Sequence, residues 1–370
     1  MRAFTLRRNA CLPHFAQLAK HPVQCASPFD CAQDRLIDTL HYALHILIGI
    51  AAMERERIIA QDSLRQELDS LYLACLDGEI PSALFHYTDA GGLLGIIDTR
   101  RLWVTHTFYL NDVTEISYTH GLVGELVEEL QKEVKPYAKE KSTYEVAHSM
   151  YSGFLQRLRY DTMRIKPNPD VYVVCFCEDD DLLSQWRGYG NRGSGYAIGF
   201  DTERLVHPSH AFKLRKVLYH IEEQKQILNK ILSAVRDSLF SRLTEVMSFD
   251  SAESLAEEYA VIFENEVARY ATFFKHKKFQ EEKEWRLIYS PTENVYSNQI
   301  KFRSGRFGIV PYTEIGLPDG KNNDHGGLLP IVSVRIGPTA QPVLERKALD
   351  MLAGGKYPDI EILKSDVPLR

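Results

Sequence analysis

The feature that most constrains the fold is the run "VYVVCFCE", residues 171–178. It is apolar without alternation. The loop "RIKPNPD" precedes it, and the polar, glycine-rich stretch "DDDLLSQWRGYGNRGSG" follows it. A short continuous apolar run of this kind is expected for a strand buried on both faces, so a sheet must carry a covering layer on each side. Further strands are predicted at "ALFHY", "RLWVTHT", "YAIGFD", "RKVLYH", "KEWRLIYS", near "QIKFR" and "FGIVPY", and at "LLPIVSVRIGP" and "IEILKS". Helical spacing occupies 53–77, and "DAGGLLGIIDTRR" reads as a helix with Asp89 as its N-cap. Other helices are predicted from Asn111 and Asp112 through "EELQKEV", over 142–162, from Leu182 to Tyr189, over about 222–247 and 251–275, and near 342–353. These elements do not alternate as regular βαβα units, which argues against a doubly wound fold or a TIM barrel. The expected class is α+β: a mixed, irregular central sheet with flanking helices and a helical insertion at about 222–275.

The 370 residues suit one large domain or two of ordinary size. Residues 1–52 read as an atypical extension, 53–83 as a helical lead-in and 84–370 as a single α+β domain. The first 29 residues hold no acidic side chain and four basic ones besides histidine. They lack the apolar run of a secretory signal. Met53 is the expected biological start. The segment "LIDTLHYALHILIGIAAM" is apolar but carries Asp38, His41 and His45, and its uninterrupted core is too short to span a bilayer. Cys11, Cys25, Cys31, Cys75, Cys175 and Cys177 form neither a disulfide framework nor a zinc set, so a reduced, cytoplasmic protein is expected. A net charge of −6 does not suggest bulk electrostatic binding to nucleic acid, although it leaves room for a local basic patch.

Four polar groups interrupt the apolar pattern near strand ends. They are His86-Tyr87-Thr88, then Asn111-Asp112 with Glu115, then Ser184, Gln185, Trp186, Arg187 and Tyr189, and finally Glu282 and Glu284 at the mouth of "EWRLIY". Sites on mixed sheets are commonly assembled from such separated strand ends and loops. Each group also has a structural reading. A single strand histidine is commonly a hydrogen-bonded structural residue, "NDVTE" completes a helix cap, Trp186 can be packing, and "EEKE" can be a solvated charge run. On a strand, Glu284 and Arg286 share one face while Trp285 and Leu287 share the other, as suits a strand between a core and a cleft. No Walker-type loop or G-x-S-x-G elbow is present, and the scattered histidines make no metal set.

"LFHYTDAGGLLGIIDTRRLWVTHTFYLNDVTEI", "VVCFCEDDDLLSQWRGYGNRGSGYAIGFD", "KHKKFQEEKEWRLI" and "VSVRIGP" together resemble the bacterial family called domain of unknown function 2971. The resemblance spans about residues 84–338. Cys177 stands where a serine is usual, and Phe85 precedes His86. This family name implies no activity. The same ordered set is also similar to ADP-ribosyltransferases. That second resemblance implies NAD as co-substrate, with His86 holding it and Thr88 assisting. It implies Glu284 as the catalytic carboxylate, Glu282 as the residue orienting the acceptor, and Tyr109, Trp186 or Tyr189 as the aromatic stacking on nicotinamide. Tyr87, Asn111, Asp112, Arg187 and Arg286 would complete the binding surface. A toxin or phage-defence setting, and a nucleic acid or protein acceptor, are the partners that resemblance suggests. Two alternatives remain: a non-catalytic binding or sensor module, and a magnesium-dependent nuclease using Glu281, Glu282 and Lys283 with Asp112 or Asp170. On the enzyme reading, His86 and Glu284 must face one cleft; if they point to opposite sides of the sheet, that reading fails and the binding-module reading gains.

Overall fold

The structure is a computed structural model. It describes residues 58–368 except 76–78, 111–113, 134–142, 163–170, 191–194, 207–211, 243–248, 291–299, 306–307, 317–326 and 340. The chain divides into two compact units, residues 1–61 and 62–370, and of the first unit only 58–61 are described. The expected start at Met53, the apolar segment before it, Asn111, Asp112 and Asp170 all lie outside the described residues. No helix among the described residues is long and apolar enough to cross a membrane.

The larger unit is α+β, built on one ten-stranded mixed sheet. Its centre is β3 (Tyr172–Cys177), the unbroken apolar run. One edge of β3 pairs along its whole length with β6 (Glu284–Tyr289), which in turn pairs with β5 (Phe212–Lys216). The other edge is shared. β1 (Ala83–Thr88) pairs with β3 only at Phe85 and Cys177, whereas β2 (Leu102–His106) pairs with it only at Thr105–Val173 and His106–Tyr172. The sheet therefore forks. One branch runs from β1 through β4 (Tyr196–Asp201) and β9 (Ile331–Ile336) to β10 (Glu361–Lys364). The other runs from β2 through β8 (Gly308–Ile315) to β7 (Lys301–Gly305). Among the described residues only the β9–β10 strand pair is parallel.

Both faces of β3 are covered, as its composition requires. Val173 and Ile288 belong to a core with α1 (residues 58–74, through Leu64, Leu68 and Tyr72), α3 (Thr114–Glu133), α4 (Thr143–Thr162), α7 (Ile221–Ser241) and α8 (Phe249–Ala271). Tyr172, Val174, Phe176, Trp285 and Leu287 face a second core under α2 (Ala90–Thr99) and α9 (Pro342–Ala353). Two short helices, α5 (Leu183–Tyr189) and α6 (Thr202–Leu205), follow β3 and β4.

One strand is displaced from its expected place. "RKVLYH" reads as a strand, but β5 is 212–216. Alternation is equally good over the longer stretch "FKLRKVLYH", so the partner decides. β6 begins at Glu284, whose carbonyl accepts from Val217 N–H at 2.9 Å. Beyond it, Leu218 turns away and bridges to Phe274.

Candidate functional site

A cleft of about 970 Å³ lies at the fork, near the upper end of the size range of small-ligand sites. Val174 and Cys175 lie on it in the stretch of β3 between its short pairings with β1 and β2, and Val173 at the β2 pairing borders it too. By register His86 shares a face with Ile198, in the core under α2, whereas Arg286 stands opposite Cys175 on the other face, which it shares with Glu284. His86 and Glu284 both border the cleft, although by register they stand on opposite faces of the sheet.

His86 is fixed by a 2.9 Å bond between its Nδ1 and the Cys175 carbonyl, and its ring lies edge-on to Phe176. A carbonyl only accepts, so Nδ1 donates, and in the neutral ring Nε2 keeps a lone pair. Burial pushes the imidazole below its ordinary value, and the Arg303 guanidinium adds to that, against the Cys175 bond. Thr88 ends β1. Asp89 then caps α2, its Oδ1 accepting from Gly92 N–H at 2.9 Å, as its sequence position predicts. Tyr87 also borders the cleft, but its hydroxyl is committed to the next loop. It donates to the Asp179 carbonyl at 2.8 Å and accepts from Leu182 N–H at 2.9 Å.

The opposite wall is a charge cluster. Glu284 is buried, only 5% exposed. Its Oε1 accepts from Arg286 Nε at 2.7 Å, and its Oε2 accepts from Lys275 Nζ at 2.9 Å and Arg286 Nη2 at 3.1 Å. Lys275 also donates to Glu282 Oε2 at 2.6 Å. Burial alone would raise the Glu284 carboxyl, but the Arg286 guanidinium and Lys275 ammonium outweigh it and hold the group down at about 2. Two cations thus meet two carboxylates. Arg286 is held further by Thr272 O, and the Lys275 carbonyl by the buried Gln224 amide at 3.0 Å. Before β6 the chain makes a 3-10 turn, Lys277–Glu282, and a left-handed residue, Lys283 (φ 42°). Glu282 lies in that turn and remains the more accessible carboxylate, with 18% of its side chain exposed.

Among the aromatic residues named from the sequence, Tyr109 and Tyr189 border the cleft, with 49% and 37% of their surface exposed. Burial pushes the Tyr189 hydroxyl upward, with Cys175 and Glu284 adding to the effect. Trp186 is elsewhere. It is 1% exposed, packs edge-on against Tyr87 at 4.6 Å, and donates from Nε1 to Asp181 Oδ1 at 2.8 Å. It cannot stack on a ligand without the loop being dismantled. Arg187, its neighbour on α5, is exposed and not among the cleft residues.

Lys275, Gln185, Trp103 and Arg303 border the cleft. Of these only Gln185 stands out by its sequence context. Lys275 sits at the end of a helical pattern among other lysines. Its backbone carbonyl is held by Gln224, 51 residues away, a relationship no local signal carries.

The fold and the cleft define an α+β protein with a ligand-sized opening where its sheet divides. Residues 185–287 match the model of the family described as "Protein of unknown function (DUF2971)", so the resemblance to that family is shown over this span. The span runs from α5 through most of β6 and contains Tyr189, Lys275, Glu282, Glu284 and Arg286. His86, Thr88 and Tyr109 lie outside it. No curated protein and no solved structure matches the chain.

Proposed function

We propose that the cleft binds a nucleotide and that the chain is an ADP-ribosyltransferase-like enzyme consuming NAD. The observation that supports this most is that His86 and Thr88 from β1, and Glu282 and Glu284 from the start of β6 on the other edge of β3, border one cleft. Departure of nicotinamide leaves positive charge on the ribose carbon. A carboxylate held ionised at the opposite wall stabilises charge that exists only in the transition state. In this scheme Glu284 supplies that charge, Glu282 orients the acceptor, and Tyr109 or Tyr189 covers the nicotinamide ring. The test is NAD consumption by wild type, Glu284→Gln and His86→Ala. Loss of turnover in the Gln variant, with NAD binding retained, is expected. Equal turnover in wild type and Glu284→Gln, or none in wild type with water, protein or nucleic acid as acceptor, sinks the proposal.

A second reading is a binding module without catalysis. What favours it is that both oxygens of Glu284 are already held by Lys275 and Arg286, which offset its charge. It predicts tight nucleotide binding by wild type with no consumption under any of these conditions. The nuclease alternative gains nothing comparable. Of the residues it uses, Asp112 and Asp170 lie outside the described residues, and Glu282 is held by Lys275.

A further inference from the structure

We propose that Arg303 is the anchor of an anion subsite in this cleft, taking the phosphate groups of a nucleoside diphosphate. This rests on reading the cleft as a nucleotide site, but it does not require that NAD be consumed.

Arg303 lies on β7 and reaches across β8 to β2, where its Nη2 donates to Thr105 Oγ1 at 3.0 Å. Its Nε is buried and has no partner, and no carboxylate lies within ion-pair distance of it among the described residues. A guanidinium carries five donor hydrogens in a fixed fork that matches two phosphate oxygens. Here the fork faces a cleft with most of its capacity unused. The Trp103 indole N–H, also on the cleft, is a second buried donor without a partner. Two buried donors on cleft residues thus lack a partner.

The other two cations of the cleft are matched, Lys275 by Glu282 and Glu284 and Arg286 by Glu284. Arg303 is the one left without a contacting counter-ion among the described residues. Burying a cation costs solvation that a bound anion offsets. Burial already lowers the Arg303 pKa, with Tyr312 and Asp89 acting in the opposite sense. Asp89 is the carboxylate that could compete, but its Oδ1 is engaged by Gly92 N–H as the cap of α2. That cap has a second consequence. It takes the Gly92 amide at the start of α2, which is then no longer a donor for an anion.

The experiment is calorimetric titration of the full chain with ADP and with adenosine, for wild type, Arg303→Gln and Arg303→Lys. Losing charge-assisted bonds to phosphate should weaken ADP by about ten- to a hundredfold in the Gln variant. Lys should restore part of this, and adenosine should bind wild type and both variants alike. Equal ADP affinity in wild type and Arg303→Gln, or no ADP binding to wild type, overturns the proposal. Equal thermal unfolding midpoints for the three proteins establish that the variants are folded. Arg303-dependent ADP binding without any NAD consumption would leave the subsite standing and remove the enzyme. NAD consumption with an unchanged KM in Arg303→Gln would do the reverse.

Discussion

His86 reaches into the fork of the sheet and bonds the Cys175 carbonyl through Nδ1 at 2.9 Å. Cys175 stands opposite Arg286 in register, so this one bond links the β1 branch to the strand pair that carries the charge cluster. Because burial lowers the His86 pKa, the ring should be neutral at pH 7, with its proton on Nδ1. In the unfolded chain the ring protonates near its ordinary value of 6.5. As pH falls below 6.5 the unfolded state therefore gains a proton first, and stability declines until the folded ring protonates too. His86→Ala should lack this component and should cost about 1–3 kcal/mol at pH 7.5 by leaving the carbonyl unpaired. Imidazole titration by NMR checks it, and a folded His86 that protonates at or above 6.5 refutes it.

Glu284 has the opposite pH signature. Its folded carboxyl lies near 2 against an ordinary 4.5, so its stabilising contribution is complete above about 4.5 and disappears as pH falls towards 2. The linked contribution at pH 7 is on the order of 3 kcal/mol. Glu284→Gln should lose about that much at pH 7, because Arg286 and Lys275 are left buried beside a neutral amide. Its stability should then change less than that of wild type between pH 5 and pH 3. Denaturant midpoints across this range measure both effects. Parallel pH profiles for the two proteins would show that the ion pair contributes nothing net.

Much of this arrangement is visible in the sequence, and the exceptions have physical causes. "VYVVCFC" announces a strand covered on both faces because no polar residue breaks it. "EWRLIY" announces a two-sided strand because Glu284 and Arg286 alternate with Trp285 and Leu287. Asp89 before "AGGLL" announces its cap. The fork is not visible, since it depends on β1 and β2 sharing one edge of β3, a competition between segments far apart in the chain. Arg303 is hidden for a similar reason: its role depends on crossing β8 to Thr105. Trp186 misleads because an aromatic residue in a polar, glycine-rich stretch looks like a ligand platform, and only the pairing with Asp181 and Tyr87 shows it to be packing.

That packing role is testable. Trp186→Phe keeps most of the ring volume but removes the 2.8 Å bond to Asp181 Oδ1, which also accepts from Ser365 Oγ at 2.5 Å. A loss of about 1–3 kcal/mol is expected, with nucleotide affinity unchanged. Trp186→Ala should cost about 3–5 kcal/mol. Thermal unfolding and ligand titration separate the two roles. A Phe variant of wild-type stability that no longer binds nucleotide would return Trp186 to the site.

The two glycines that open α2 should respond in opposite ways to alanine. At Gly91 a methyl group would find its nearest neighbour, Asp89 Oδ1, at an ordinary 3.4 Å. At Gly92 it would lie 1.9 Å from Thr88 Oγ1 and 3.2 Å from Thr88 Cβ. Gly91→Ala should be neutral or stabilise by up to about 1 kcal/mol, because alanine loses less backbone entropy in a helix. Gly92→Ala must push Thr88 aside or shift the helix, at a cost of about 1–3 kcal/mol. Since Thr88 ends the strand that carries His86, the Gly92 variant should also lose nucleotide affinity, whereas the Gly91 variant should not. Thr88→Ala removes the nearer obstacle, so the double variant Thr88→Ala, Gly92→Ala should recover part of the lost stability. A Gly92→Ala protein as stable as Gly91→Ala would mean that α2 does not sit against Thr88 as closely as 1.9 Å implies.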